Sequence, residues 1–349
     1  MSDILQRQRE IPRPYLVFLG DIREPLDAKT ALGLVEWRRD WCQGQARLST
    51  DALDLGLPDL GFSEAAARGI RTVVLGGAPF GGRLPPAWIA ALEEALRAGL
   101  NIASGLHDRL SAIPSLRALA AEHGGQLFDV RDPPAGEALP VATGKPRPGR
   151  RVLTVGLDCA IGKKFTALQL EKDLTLAGAR ASFRATGQTG ILISGGGVAI
   201  DAVVSDFVAG VAELLSPANA PDHWDVIEGQ GSLFHPAYAG VSLGLLHGSQ
   251  PDAIVLCHEA TRTHLDGYPD FPLLDIETGI ERHLQMARLT NPAVRCAGIS
   301  LQTARLPPPE RLAALEALER RTGLPCVDPA VTGTARLVQA LQQIPPKAA

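Results

Sequence analysis

The run Gly156-Leu157-Asp158-Cys159-Ala160-Ile161-Gly162-Lys163-Lys164-Phe165-Thr166 sets glycines, two adjacent lysines and a hydroxyl in an order that suits phosphate. It follows residues 151–155 (RVLTV), which read as a strand. It opens a helix at about Lys163, in which Ala167, Leu170, Leu174 and Ala177 recur at helical spacing. In such a strand–turn–helix, free backbone N–H groups of the loop and of the first helical turn converge on one point. The helix dipole adds positive potential there. Gly162 lets the backbone approach phosphate oxygens, and Lys163 adds a full charge. Gly156, Ala160, Ile161, Gly162, Lys163 and Lys164 are therefore the candidate ligand-binding residues. The bland alternative is a glycine turn that merely joins strand to helix.

The pattern departs from GxxxxGK[ST] at one place, because Lys164 stands where a Ser or Thr normally ligates Mg²⁺. Thr166 lies two helical residues on, rotated by roughly 200° to another face. A second cation beside Lys163 would also repel Mg²⁺. The loop reads as a diphosphate cradle that works without an obligatory metal; no metal site is expected, and ATP hydrolysis is disfavoured.

Further candidates sit at predicted strand ends. Residues 225–232 (DVIEGQGS) form an apolar strand ending in Glu228, followed by Gly229 and Gly231. Ligands of open α/β sheets lie outside the carboxyl ends of strands, which puts Glu228 beside the glycine loop. It could serve as general base, metal ligand or salt-bridge partner of Lys163. With Asp158 and with His235, just beyond it, it makes up the set of candidate catalytic proton acceptors. Residues 186–197 (TGQTGILISGGG) read as a second backbone-donor loop, in which Gln188, Thr189 and Gly190 would face the ligand, or else as a flexible surface turn. After the predicted strand 253–256 come His258, Glu259 and Arg262, whose spacing forms no HExxH-type zinc pattern. Arg262 suits bidentate binding of a substrate carboxylate, with Arg184 as a second candidate.

The elements that must position these residues follow a β-then-α rhythm. Strands are expected at 15–20, 72–77, 101–104 and 127–131, with helices after Ser63 and over 85–99. Residues 133–150 (PPAGEALPVATGKPRPGR) lose any hydrophobic period and mark a boundary. The rhythm then restarts, with a helix over 201–215, strands at 225–227, 253–256 and 294–300, and a last helix over 333–342. The expected fold class is α/β: an N-terminal Rossmann-like parallel-sheet domain (1–140), a linker (141–150) and a C-terminal P-loop NTPase-like domain (151–349). In the first half, LGGAPFGG (75–82) and SGLHDR (104–109) each follow a strand. Their glycines depart from the dinucleotide fingerprint, so nicotinamide binding is weakly supported.

Bulk properties exclude several classes. With 349 residues, of which 45% are hydrophobic, the chain is long enough for two cores and too apolar for disorder. A net charge of −4 gives no footprint for nucleic acid. No stretch reads as a membrane span or signal peptide. Five scattered cysteines without a CxxC pair fit a reducing, cytoplasmic setting. The expected partner is a small molecule, and apolar helices on two doubly wound domains are compatible with a homo-oligomer.

GLDCAIGKKFTA, TGQTGILISGGG, DVIEGQGSLFHPAYAGVSLGLLHGSQPDAIVLCHEATR, GGAPFGGRLP and SGLHDRL together resemble one two-domain family over nearly the whole chain. That family has long been labelled putative NAD-dependent epimerase/dehydratase or domain of unknown function, and some members are D-glutamate N-acetyltransferases. The resemblance implies acetyl-CoA as donor and D-glutamate, or a similar D-amino acid, as acceptor. The glycine loop alone also resembles that of dethiobiotin synthetase, with Lys164 in place of that enzyme's Thr. An ATP- and Mg²⁺-dependent ligase or kinase is thus the rival activity, and a non-catalytic nucleotide- or CoA-binding module the rival class.

Overall fold

A computed structural model describes residues 11–25, 27–79, 83–132 and 139–345. Phe80, Gly81 and Gly82 of the LGGAPFGG segment, and residues 133–138 of the expected boundary, lie outside the described residues. The chain divides into two compact units. One comprises Arg7–Ala135 with Gln188–Ala199, and the other Gly136–Gly187 with Ile200–Ala349.

In the N-terminal unit the order is β1 (Tyr15–Gly20), α1 (Lys29–Trp37), β2 (Cys42–Arg47), α2 (Phe62–Ala67), β3 (Thr72–Leu75), α3 (Pro86–Arg97), β4 (Asn101–Ser104), α4 (Pro114–His123) and β5 (Leu127–Asp129). The strands form one parallel sheet, β2-β1-β3-β4-β5. Every residue of β1 is buried, as expected of a strand covered on both faces. Helix α3 begins with proline and buries Trp88, Ala91, Leu92, Ala95 and Leu96 along one stripe.

The P-loop unit restarts with β6 (Arg150–Gly156) and α5 (Lys163–Leu176), then β7 (Arg180–Arg184). Helix α6 (Gln188–Ser194) follows in sequence but groups with the N-terminal unit. Next come α7 (Ser205–Leu215), β8 (His223–Ile227), α8 (Ala239–Ser249), β9 (Ala253–Glu259), β10 (His264–Leu265), β11 (Tyr268–Pro272), α9 (Ile276–Ala287), β12 (Arg295–Gln302), α10 (Pro308–Thr322), β13 (Cys326–Val327) and α11 (Ala335–Gln342). Six strands make a parallel sheet, β13-β12-β9-β6-β8-β7, and β10 pairs β11 antiparallel as a separate hairpin. One core cluster includes Leu153, Leu245, Leu256 and Ile280; another includes Val152, Leu170, Trp224 and Leu337. Alternate residues of β6 thus feed opposite faces of the sheet.

Three strands in addition to the expected ones complete the two sheets. β2 is the polar run CQGQAR, stabilised by Gln45, whose buried amide donates to Asp54 Oδ1 (2.9 Å) and accepts from Leu55 N–H (2.8 Å). β7 is a half-buried edge strand without apolar alternation, and β13 has two residues. Residues 141–149 are bonded to the P-loop unit: Thr143 N–H and hydroxyl donate to Glu213, and buried Arg147 donates to Gly248 O (2.9 Å). No helix among the described residues is long and apolar enough to cross a membrane.

Candidate functional site

β6 delivers the chain to Gly156, where a Cβ would lie 2.4 Å from Ile161 Cδ1 and 3.2 Å from Cys257 O, so the loop closes only on glycine. Ala160 (φ 52°) and Gly162 (φ 93°) then turn the backbone through the left-handed region, at Ala160 against the usual preference of an L-residue. Helix α5 starts at once, fourteen residues long, with no side-chain cap and no acid in its first turn. Its N-terminal potential is therefore left for a ligand. The Lys163 ammonium is buried and donates to Asp158 O (2.6 Å), and burial pushes its pKa below the usual lysine range. Lys164, the next residue, is partly buried. Thr166 turns away, donating to Gly162 O and meeting Ser300 Oγ on β12 at 2.8 Å, as the helical rotation requires.

Asp158 is fully buried and heavily engaged. Its carboxylate accepts from Cys159 N–H (2.7 Å), from Arg262 Nη1 (2.7 Å) and from Asp266 N–H (2.9 Å). Arg262 also donates to Cys159 O (3.1 Å). Together they stitch the glycine loop to the β10–β11 hairpin. Such a carboxylate is suited to holding the turn, and Arg262 is already committed to it.

Glu228 closes β8 beside β6. Its Oε2 accepts from the N–H groups of Thr186 (3.0 Å) and Gly187 (3.1 Å), and its carbonyl accepts from the Thr186 hydroxyl (2.6 Å). Burial pushes its carboxyl up to about 7, against the opposing pull of the Thr186 N–H and the Lys164 charge. Gly229 must be glycine: a Cβ there would lie 1.7 Å from Thr154 O, and its N–H bonds Thr154 Oγ1 (2.9 Å). This close approach locks β8 onto β6 and fixes Glu228 relative to the loop.

His235 is buried, stacked on Tyr238 (4.6 Å between centroids) and edge-on to Tyr268 (4.8 Å). Its Nδ1 accepts from Ala237 N–H (3.1 Å), so the neutral ring carries its proton on Nε2. Single donor atoms of Asp158, Cys159 and His235 lie within 4.8 Å of one another. A metal-ligating imidazole donates its other ring N–H; here that nitrogen accepts, and the Asp158 oxygens are taken, so the trio is poorly disposed to hold a cation.

Other expected residues are placed elsewhere. Arg184 pairs with buried Asp225 (2.7 Å) across neighbouring strands. Gln188, Thr189 and Gly190 open α6 and group with the N-terminal unit. The donor loop expected over 186–197 is therefore corrected to a helix over its middle, because Ile191, Leu192 and Ile193 bury their side chains. Thr186 and Gly187 do donate backbone N–H groups, but to Glu228. Sequence reasoning missed Asp266, Tyr238 and Tyr268, which carry no local motif.

Family models match both halves: a Rossmann-like domain of unknown function (DUF1611_N) over residues 42–133 and a P-loop domain of unknown function (DUF1611_C) over 140–338. The chain is 46% identical over 334 residues to a D-glutamate N-acetyltransferase from Tritonibacter scottomollicae, covering 96% of this chain and 100% of the relative. It is also 46% identical over 332 residues to one from Pseudoalteromonas sp, covering 95% and 99%. Among solved structures it is similar to a DUF1611 family protein from Anabaena variabilis, at TM-score 0.84 and 35% identity, covering 95% of this chain and 100% of that one.

Proposed function

Since the chain belongs to the DUF1611 family, we propose that it is an N-acetyltransferase that moves the acetyl group of acetyl-CoA to the amine of D-glutamate. The observation that carries this reading is the match, essentially end to end, with two D-glutamate N-acetyltransferases. The uncapped helix and buried ammonium suit a donor that presents a diphosphate, as coenzyme A does. Lys163, Lys164, Gly162 and the loop amides from Gly156 through Ala160 and Ile161 would hold it. Lys164 supplies charge where nucleotide hydrolases place a Mg²⁺-binding hydroxyl, which disfavours the ligase or kinase reading.

Acetyl transfer needs a neutral amine. Glu228 is the group we assign to take the proton: two amides fix its Oε2, and its carboxyl near 7 is matched to proton transfer at neutral pH. Asp158 and Arg262 act at one remove, by holding the glycine loop in shape. His235 lies beside the same loop, with a ring nitrogen within 4.8 Å of donor atoms of Asp158 and Cys159. The amine nitrogen forms the amide bond as the thioester C–S bond breaks, and the products are N-acetyl-D-glutamate and the free thiol of coenzyme A.

The test is thiol release from acetyl-CoA with a panel of D- and L-amino acids. Release with D-glutamate well above that with L-glutamate and with no acceptor is expected. Release with none of the panel would remove the proposal.

A further inference from the structure

The sheet of the N-terminal unit has the order β2-β1-β3-β4-β5. In doubly wound sheets of this order a phosphate-bearing ligand sits where the winding reverses, outside the carboxyl ends of β1 and β3. In this chain that end is built over by protein. Ala31 N–H, at the start of α1, bonds Gly76 O just past β3 (3.0 Å), and Ala78 N–H bonds Asp27 O (2.7 Å). Helix α6 packs against α1. Its Thr189 hydroxyl lies 3.1 Å from the Thr30 hydroxyl in the first turn of α1, where a phosphate would otherwise meet the helix dipole. Gln188 rests on Gly105, directly after β4, so closely that a Cβ at 105 would lie 2.8 Å from Gln188 Cβ. The apolar Ile191-Leu192-Ile193 run is buried.

We infer that the crevice of this Rossmann-like sheet is a receptor for the chain's own helix α6, seated by Thr189 on Thr30 and by Gln188 on Gly105, and that it takes no dinucleotide. All the residues concerned belong to the N-terminal unit, and the inference does not rest on the function proposed above.

Two measurements decide it, neither of which needs turnover. Calorimetric titration with NAD⁺, NADP⁺ and FMN is run on the full-length protein and on Lys163→Ala, which removes the P-loop's own grip on a diphosphate; no binding to the variant is expected, and one equivalent bound to it would overturn the filled crevice. Hydrogen exchange across residues 183–200 is then compared between wild type, Gly105→Val, Thr189→Ala and Thr189→Ser. Gly105→Val should unseat α6 and speed exchange at the amides of Leu192, Ile193, Ser194 and Gly195 about ten-fold, with protection in β1 and β3 unchanged. Thr189→Ala should move the same amides in the same direction by a smaller factor, and Thr189→Ser should restore them. If Gly105→Val does not fold, the Thr189 pair decides alone. Unchanged protection of residues 192–195 in folded variants would contradict the seating of α6. Absence of acetyl transfer would sink the proposed function and leave this result standing.

Discussion

Lys163→Ala is expected to weaken coenzyme A binding about 10- to 100-fold, the worth of one or two charge-assisted hydrogen bonds to phosphate. The ammonium is nearly solvent-free and its pKa is depressed by that burial, so in the free protein the charge is held at a cost. A bound diphosphate recovers it. The variant should therefore be at least as stable as wild type while binding the donor poorly, a pattern that separates a ligand-binding lysine from a structural one. Calorimetry for affinity and a thermal melt for stability read the two sides. Full affinity in Lys163→Ala would take the diphosphate away from this loop.

Glu228→Gln is expected to lower kcat about 10²- to 10⁴-fold, the usual contribution of a positioned general base, with donor affinity nearly unchanged. The amide can still accept from Thr186 and Gly187, so the segment around it should persist. For wild type, kcat/KM should fall as pH drops below about 7, since the carboxyl must be ionised to take a proton. The same shift has a stability consequence. A carboxyl at about 7 in the folded chain, against 4.5 ordinarily, binds its proton more tightly when folded. Stability then declines as pH rises from about 4.5 through 7, and the Gln variant lacks that decline. Melting temperatures of both proteins at pH 5 and pH 8 would show it. A pH-rate profile identical in the two proteins would reject Glu228 as the base.

The glycine loop was legible because its signal is local: a strand, a turn and a lysine in immediate succession fix where amides and charge converge. Glu228 was legible at one remove, from the rule that ligands sit at the carboxyl ends of strands. What the sequence hid depends on pairing between distant segments. Arg184 looks like a free cation until β7 is laid beside β8, which puts it against Asp225. Asp158 looks like a candidate base until Arg262 and the Asp266 amide, more than a hundred residues on, saturate it. The TGQTGILISGGG run misleads because its glycines and hydroxyls outweigh its three apolar residues, Ile191, Leu192 and Ile193, yet those residues bury a helix that groups with the N-terminal unit.

The most direct test of the central claim, that backbone amides and lysine hold the donor's diphosphate without a metal ion, is calorimetric titration of the wild-type protein with coenzyme A in excess EDTA and again in Mg²⁺. Saturable binding in EDTA, not improved by Mg²⁺ and largely lost in Lys163→Ala, is the predicted result. Binding that appears only with Mg²⁺, and is stronger for ATP than for coenzyme A, would contradict it.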